Sequence, residues 1–106
     1  MSPINYHHCF SVSNAKDEYI ASLYASVRHG VMWFTRLWVD SEHRQKGLGR
    51  GLLERGITEL GKHDLYLQVA GFSDQPLSDE QLIAWYGRFG FMPTGVPGIL
   101  RRGADA

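Results

Sequence analysis

The most constraining feature of this chain is an apolar segment that runs into a short basic loop and then into a helical pattern. Residues 31–39 are apolar at nearly every position, which is typical of a central strand with both faces covered. After Gly49, apolar residues recur at helical spacing: Leu52, Leu53, Ile57 and Leu60. A strand followed this closely by a helix predicts an α/β fold in which the helix packs against the sheet.

The loop between this strand and the helix combines positive charge with glycine. Its residues are Arg44, Gln45, Lys46, Gly47, Leu48 and Gly49, followed by Arg50. A helix N-terminus has unpaired N–H groups and roughly half a positive charge, so it attracts phosphate. Glycines leave room for the backbone itself to contact a pyrophosphate. Residues 44–50 therefore predict a phosphate site at the carboxyl end of the strand.

Two common phosphate-binding patterns do not fit this loop. A Walker loop ends in Gly-Lys-Ser/Thr, whereas this sequence reads Lys-Gly-Leu. A dinucleotide fingerprint needs a third glycine where Leu52 stands. The pattern that does fit is Arg/Gln-x-x-Gly-x-Gly/Ala, which Arg44, Gly47 and Gly49 satisfy.

Further strands are predicted on both sides of this segment. Residues 5–12 and 19–27 have the composition of two strands, and residues 13–17 between them have that of a turn. Residues 65–70 alternate apolar and polar side chains, as a half-buried strand does. The chain therefore opens with three consecutive strands before its first helix, and a fourth strand follows that helix.

A second helix and one or two short strands are predicted near the C-terminus. Ser78 and Gln81 match a capping box, which places a helix from there to about Phe89. An extended segment starts at Phe91, and Ile99 lies in a possible closing strand. The resulting order is β-β-β-α-β-α-β, with one more strand as an option.

Composition limits the classes of function. The 106 residues suffice for one domain, with residues 101–106 as a frayed tail. Lys and Arg number 11, as do Asp and Glu, so net charge gives no indication of nucleic acid or a membrane surface as partner. We expect neither a membrane span nor a signal peptide, because no long apolar stretch or charged leader is present.

The single cysteine, Cys9, indicates a reducing compartment. One thiol cannot form an internal disulfide, so we expect the protein in the cytoplasm. His7 and His8 precede Cys9, but adjacent residues on a strand point to opposite faces, and no second ligand pair follows at a metal-binding spacing. We therefore expect a strand with a buried thiol and no metal.

Two motifs, in this order, resemble hallmarks of the GNAT N-acetyltransferase superfamily. The first is the loop pattern of Arg44, Gly47 and Gly49. The second is Ala-Trp-Tyr-Gly-Arg-Phe-Gly-Phe at residues 84–91, which is similar to the family's helix ending in Tyr-x-x-x-Gly-Phe. The resemblance covers residues 19–94. It implies an α/β fold with a mixed sheet splayed at the acyl-CoA site, acetyl-CoA as donor, and direct transfer of the acetyl group to a primary amine.

The resemblance also implies roles for individual residues. The pyrophosphate of coenzyme A would lie on residues 44–50, and its pantetheine arm would pair with backbone groups of Leu37 and Val39 like an extra strand. A backbone N–H near Trp38 would stabilise the oxyanion. Tyr86 would hydrogen-bond the sulfur and protonate the leaving thiolate.

Three features depart from the family pattern, one of them Gly87 directly after the tyrosine, which loosens the helix there. Asp79 stands where relatives often have an asparagine near the pantetheine. Many relatives have a glutamate on the central strand as general base, whereas residues 31–39 contain no carboxylate. His29 just before that strand and Glu42 just after it are the nearest candidates, and we expect ordered water to take the proton.

The largest departure is the short connection between the first two strands. The family usually has one or two helices there, over the acceptor site, but only a turn's length separates residues 12 and 19. We therefore expect an open acceptor side that receives a protein lysine or another macromolecular amine, unless a second subunit of a homodimer completes it. Very small phage-encoded members look similar, including the Ser-x-x-x-Leu-Ile-x-x-Tyr run at residues 78–86.

Other functions remain open on the sequence alone. They are transfer to a small amine such as a polyamine or an antibiotic, acyl-CoA binding without catalysis, and a nucleotide-binding module unrelated to coenzyme A. The presence of Tyr86 argues against a non-catalytic domain, and the missing strand carboxylate argues for one. Three tryptophans, Trp33, Trp38 and Trp85, are candidates for an acceptor-binding surface.

Overall fold

The computed structural model describes residues 7–44, 46–70, 72 and 77–104. These residues form strands β1 His7–Ser13, β2 Tyr19–Arg28, β3 Val31–Val39, β4 Leu65–Gln68, β5 Met92–Pro93 and β6 Ile99–Arg102. They also form helices α1 Leu48–Leu60 and α2 Asp79–Gly87, and a 3-10 turn at Ser41–His43. The strand order is β1-β2-β3-β4-β6-β5, and β3 and β4 run parallel while the other neighbours are antiparallel. The predicted α/β fold with a mixed sheet is confirmed.

The first three strands form an antiparallel meander joined by tight turns. Residues 14–18 connect β1 to β2, where the Asn14 side chain accepts backbone N–H bonds from Lys16 at 2.8 Å and Glu18 at 3.1 Å. His29 and Gly30 connect β2 to β3 with φ angles of 52° and 77°, as in a mirror-image hairpin turn. The expected absence of helices between the first two strands is confirmed, because a turn makes the whole connection.

The parallel strands β3 and β4 pair only over a short distance. Their last residue pair joins Phe34 to Leu67. Beyond it the strands separate, and the Leu37 N–H donates instead to the Phe72 carbonyl at 2.7 Å. The register between β2 and β3 shifts at the same level, which leaves Thr35 as an extra residue in β3. A bulge of this kind bends its strand, and here it lies where β3 departs from β4.

Both helices pack on one side of the sheet, which we call the helix face. Gly56 of α1 lies so close to the sheet that an added Cβ would be 3.1 Å from the Phe34 ring. The Phe91 ring, just after α2, lies 5.9 Å from that of Phe34. An added Cβ at Gly49 of α1 would be 3.8 Å from Trp85 of α2. In the part of the chain that the structure describes, no helix is both long and apolar enough to cross a membrane.

The opposite side of the sheet, which we call the open face, carries no helix among the described residues. Tyr24 is 43% exposed there, and Trp33 and Trp38 are half-buried. Cys9 lies on β1 with its thiol exposed. The predictions that β3 is covered on both faces and that the thiol is buried are therefore wrong. On this face Trp33 of β3 packs beside Tyr66 of β4, with their ring centres 5.3 Å apart.

The capping box at the start of α2 is present as expected. The Ser78 hydroxyl accepts the Gln81 N–H at 3.2 Å, and the Gln81 side-chain oxygen accepts the Ser78 N–H at 3.0 Å. These two bonds satisfy donors that the first turn of a helix otherwise leaves unpaired.

The prediction that residues 101–106 form a frayed tail is wrong for its first two residues. Arg101 and Arg102 belong to β6. Arg101 forms an ion pair with Asp64 at 2.8 Å, and this guanidinium lowers the pKa of the Asp64 carboxyl. Arg102 is only 9% exposed, and its Nε donates to the Phe89 carbonyl at 2.9 Å. Both arginines thus anchor the end of the chain to the sheet, while residues 105 and 106 lie outside the described part.

The close approach of α1 to the sheet can be tested at two of its glycines. An added Cβ at Gly56 would lie 2.7 Å from Cδ2 of the buried Leu23, so Gly56→Val overpacks the core. We expect it to lower the free energy of unfolding by about 1–3 kcal/mol. Gly51→Val is the matched control, because nothing lies within 4 Å of a Cβ added there. Denaturant unfolding measures both, and equal stabilities would contradict the close packing.

Candidate active site

A groove of about 680 Å³ lies on the helix face, beside the N-terminus of α1. Its described lining residues come from the end of β3, the loop after it, the first turn of α1 and the C-terminal part of α2. They include three arginines, Arg44, Arg50 and Arg88, and no Asp or Glu. The groove is therefore a cationic site with apolar parts at Leu48 and Trp85.

Asp40 fixes the loop that enters α1. Its carboxylate accepts the Glu42 N–H at 3.3 Å and lies 2.9 Å from Nδ1 of His43. The hydrogen bond with His43 lowers the pKa of the Asp40 carboxyl. The Nε of Arg44 donates to the Val39 carbonyl at 3.4 Å, which holds this guanidinium near the end of β3. The basic loop is thus shaped by local polar contacts that begin with Asp40.

Helix α1 begins at a glycine in the left-handed region. Gly47 is its N-cap with φ of 78°, a conformation that costs other residues about 1–2 kcal/mol. The first helical bond runs from the Gly51 N–H to the Gly47 carbonyl at 2.9 Å. The N–H groups of Leu48, Gly49 and Arg50 precede that bond, and no acidic side chain lies in this turn. These three donors are therefore available to an anion in the groove.

The other loop residues predicted to bind phosphate are placed differently. Lys46 is exposed and does not line the groove. Gln45 lies outside the described residues. Arg50 lines the groove but also pairs with Glu54 at 2.9 Å, which balances part of its charge. Asp79 is exposed in the first turn of α2 and is not among the described residues that line the groove.

The α2 side of the groove was missed by sequence reasoning. Trp85 and Arg88 lie three residues apart, so they share one side of the chain as it leaves α2. Leu77, just before the helix, lines the groove with them. The three-residue spacing of Trp85 and Arg88 indicated that their side chains lie on the same side of the chain. It did not show that they face the start of α1, which depends on how the two helices pack.

Tyr86 is fully buried behind this groove, with 0% of its surface exposed. Its ring meets Phe72 at 5.5 Å and Trp85 at 5.3 Å, in both cases edge to face. Phe72 is also the residue whose carbonyl accepts the Leu37 N–H. Tyr86 therefore packs against the segment that lies beside β3 in the gap between β3 and β4.

Backbone groups of β3 point alternately to its two sides. The Leu37 N–H points into the gap, to Phe72, and the Asp40 N–H points to a β2 carbonyl at 2.8 Å. By alternation, the Val39 N–H points into the gap and the Trp38 N–H points toward β2. The geometry thus places Leu37 and Val39 where a ligand can pair with them. The Trp38 N–H points away from the gap, toward β2.

A second pocket, of about 360 Å³, lies on the open face where β3 departs from β4. It is lined by Thr35 from the bulge, Gln68 from the end of β4, Trp33, and two residues at the end of the β2–β3 hairpin, Arg28 and His29. None of its described lining residues is Asp or Glu. The groove contacts β3 at Val39, beyond the end of the β3–β4 pairing, and this pocket contacts β3 at residues 33–35, where that pairing ends. No three His, Cys, Asp or Glu side chains among the described residues cluster as a metal site.

Solved structures with the same fold are numerous, and all those named below share under 25% of their sequence with this chain. The ribosomal-protein-S18-alanine N-acetyltransferase of Escherichia coli has a TM-score of 0.72 and 22% identity, over 94% of this chain and 70% of that one. An acetyltransferase from Bacillus cereus has a TM-score of 0.68 and 20% identity, over 92% and 73%. The anti-CRISPR protein AcrVA5 has a TM-score of 0.63 and 18% identity, over 90% and 96%.

Comparison of sequences gives the family itself. No curated protein matches this chain. The family model described as "Acetyltransferase (GNAT) domain" matches residues 5–93, which is most of the chain. This match spans both motifs that resemble the family, and the fold agrees with it. The chain therefore belongs to the GNAT acetyltransferase family.

Proposed function

We propose that this protein transfers an acetyl group from acetyl-CoA to a primary amine of a protein, by direct attack in a ternary complex. The observation that carries the proposal is the gap between β3 and β4. The cationic groove contacts β3 on the helix face, beyond the end of its pairing with β4, and the second pocket lies on the open face where that pairing ends. A donor and an acceptor that enter from opposite faces meet in this gap without an intermediate acyl-enzyme.

The groove fits the phosphates of coenzyme A. The N–H groups of residues 48–50 and the guanidinium groups of Arg44 and Arg88 provide donors for a pyrophosphate. Gly47 and Gly49 keep side chains away from the start of the helix. Bound acetyl-CoA would supply a thioester carbonyl and a thiolate leaving group. The chain itself must then orient that carbonyl, exclude water and supply a proton.

Orientation falls to the backbone of β3. The N–H groups of Leu37 and Val39 point into the gap and can pair with an extended ligand as a neighbouring strand would. The Phe72 carbonyl holds the Leu37 N–H at 2.7 Å, so a ligand at that position must displace it. Whichever of the two N–H groups meets the developing oxyanion stabilises it most effectively in a water-poor site.

Tyr86 is the proposed general acid. A phenol keeps its proton at neutral pH and can donate it as charge develops on a nearby sulfur. The aromatic rings of Phe72 and Trp85 enclose Tyr86 and exclude water from its surroundings. These contacts also fix the direction of its ring.

β3 contains no carboxylate that could take the proton from the amine. Glu42 is exposed in the 3-10 turn and does not line the open-face pocket. His29 lines that pocket, so it is the better-placed of the two candidate bases. We propose that the amine loses its proton to ordered water in the pocket, with His29 as the side chain that can receive it.

The acceptor side favours a macromolecule. The open face carries no helix in the described part of the chain, so a small amine gains little enclosure there. A protein acceptor brings its own surface and makes contact outside the pocket. Among the structurally similar proteins, one is named for transfer to the alanine of a ribosomal protein, which is a macromolecular acceptor. The competing candidate is a homodimer that encloses a small amine.

Coenzyme A binding can be tested at Gly47. Gly47→Glu puts an anion at the start of α1, and we expect at least about tenfold weaker coenzyme A binding, because like charges in a binding site repel strongly. Gly95→Glu is the control: its φ of 93° is also positive, nothing lies within 4 Å of its added Cβ, and it sits in the β5–β6 turn. Calorimetry that finds the same affinity in both variants would place the site elsewhere.

The role of Tyr86 can be separated from binding. Tyr86→Phe should lower kcat by roughly 10²–10⁴-fold, the usual range for loss of a general acid. The affinity for acetyl-CoA should stay nearly unchanged, because the phenyl ring still packs against Phe72. Tyr19→Phe, at an exposed position, is the matched control. Steady-state kinetics with wild-type turnover in the Tyr86 variant would remove this residue from the mechanism.

The class of acceptor can be tested by comparing rates on polyamines, aminoglycosides, free amino acids and folded proteins. We expect acetylated lysines or N-termini on proteins and slow transfer to the small amines, because the open face does not enclose them. Light scattering gives the oligomeric state in the same buffer. Fast transfer to one small amine by a dimer, with no protein labelled, would decide for the competing candidate.

A further inference from the structure

The strands of the described sheet contain no carboxylate. Asp and Glu number 11 in the chain, and each lies outside β1 to β6. The same strands contain four arginines: Arg28, Arg36, Arg101 and Arg102. The strands therefore carry a net positive charge, although seven of the eleven Lys and Arg residues lie outside them.

Two of the four arginines leave the open face with unbalanced positive charge. Arg102 donates to the Phe89 carbonyl on the helix face, and Arg101 is paired with Asp64. Arg28 and Arg36 are exposed, and neither forms an ion pair with another described residue. An exposed face with two such arginines and no strand carboxylate attracts anions.

These two arginines line two adjoining hollows of the open face, which together we call the basic groove. One part, of about 510 Å³, lies over β1 to β3 and is lined by Cys9, Tyr24 and Arg36. The other part is the open-face pocket at the gap. Arg28 and Thr35 line both parts, so the two are contiguous. The basic groove therefore leads across the sheet to the place where the acceptor amine is proposed to react.

The dimensions of the basic groove suit an extended peptide. From β1 to β4 it crosses three strand spacings of about 4.8 Å each, or roughly 14 Å, which is the length of about four extended residues. Tyr24, which is 43% exposed, and the half-buried Trp33 give apolar surface along this path. A single small amine would fill only the end of it.

We propose that the acceptor is an acidic protein segment. Its lysine or N-terminal amine enters the open-face pocket, and carboxylates within about four residues of that amine bind Arg28 and Arg36. This inference rests on the proposed acetyl transfer and specifies the chemistry of the acceptor for that reaction. The arginines would hold the segment and also offset the effect of its carboxylates, which by themselves keep a nearby amine protonated.

A second copy of this chain is a poorer occupant of the same surface. In a two-fold dimer each open face meets the identical face of its partner. Two patches of like charge would then face each other, and the strands have no carboxylate to separate them. Nucleic acid is also less favoured, because two arginines give few phosphate contacts and nucleic acid brings no comparable aliphatic amine.

The test uses fluorescent peptides with one lysine flanked by Glu, Gln or Arg. Anisotropy measures their binding without acetyl-CoA, and mass spectrometry measures their acetylation. We expect the Glu peptide to bind about fivefold tighter or more than the Gln peptide, with the difference shrinking at high salt. Arg28→Gln and Arg36→Gln should each reduce this preference by about two- to fivefold. Lys62→Gln, which removes one exposed charge at the end of α1, should leave it unchanged.

Charge reversal makes the test independent of a loss of folding. The double variant Arg28→Glu, Arg36→Glu should keep the far-UV circular dichroism spectrum of the wild type and bind the Arg peptide in preference to the Glu peptide. Equal binding and acetylation of the three peptides would overturn the inference and leave acetyl transfer intact. A Glu preference in binding with no peptide or protein acetylated would instead overturn the proposed function. An oligonucleotide that binds through both arginines more tightly than the Glu peptide would replace the acidic protein by nucleic acid.

Discussion

The separation of two parallel strands organises this molecule. β3 and β4 pair as far as Phe34 and Leu67 and then part, next to the bulge at Thr35. Parallel pairing satisfies the backbone of both strands, so ending it early leaves N–H and carbonyl groups of β3 without their sheet partner. The cationic groove, the open-face pocket and Tyr86 all lie around this gap.

Local signals in the sequence predicted the parts of the fold that depend on near neighbours. The capping box at Ser78 and the glycine-rich start of α1 were read directly, because each needs only residues a few positions away. The prediction that both faces of β3 are covered was wrong, and the short connection between the first two strands could have shown this. With only residues 14–18 between β1 and β2, no helix in that connection was available to cover the second face.

The site was predictable where one segment supplies it and not where several segments meet. Residues 44–50 include most of the loop side of the groove, whereas Arg88 reaches it only because α2 packs beside α1. The direction of the Trp38 N–H depends on the backbone alternation beyond the bulge at Thr35, which has no signature in composition. The basic groove was hidden in the same way, since its two parts join residues from β1 to β4 that are far apart in sequence.

The hydrogen bond from Leu37 to Phe72 has a consequence for affinity and its limits. A ligand that pairs with Leu37 replaces one backbone acceptor by another, so this contact gives almost no net hydrogen-bond energy. A ligand can bond to Leu37 only in those protein molecules in which the Phe72 carbonyl has moved away. The smaller the fraction of such molecules, the larger the apparent dissociation constant of the ligand. In the proposed mechanism, the affinity for acetyl-CoA would therefore come from the charged groove at α1. The backbone of β3 would align the ligand without adding to its affinity, because the new hydrogen bond replaces the internal bond between Leu37 and Phe72.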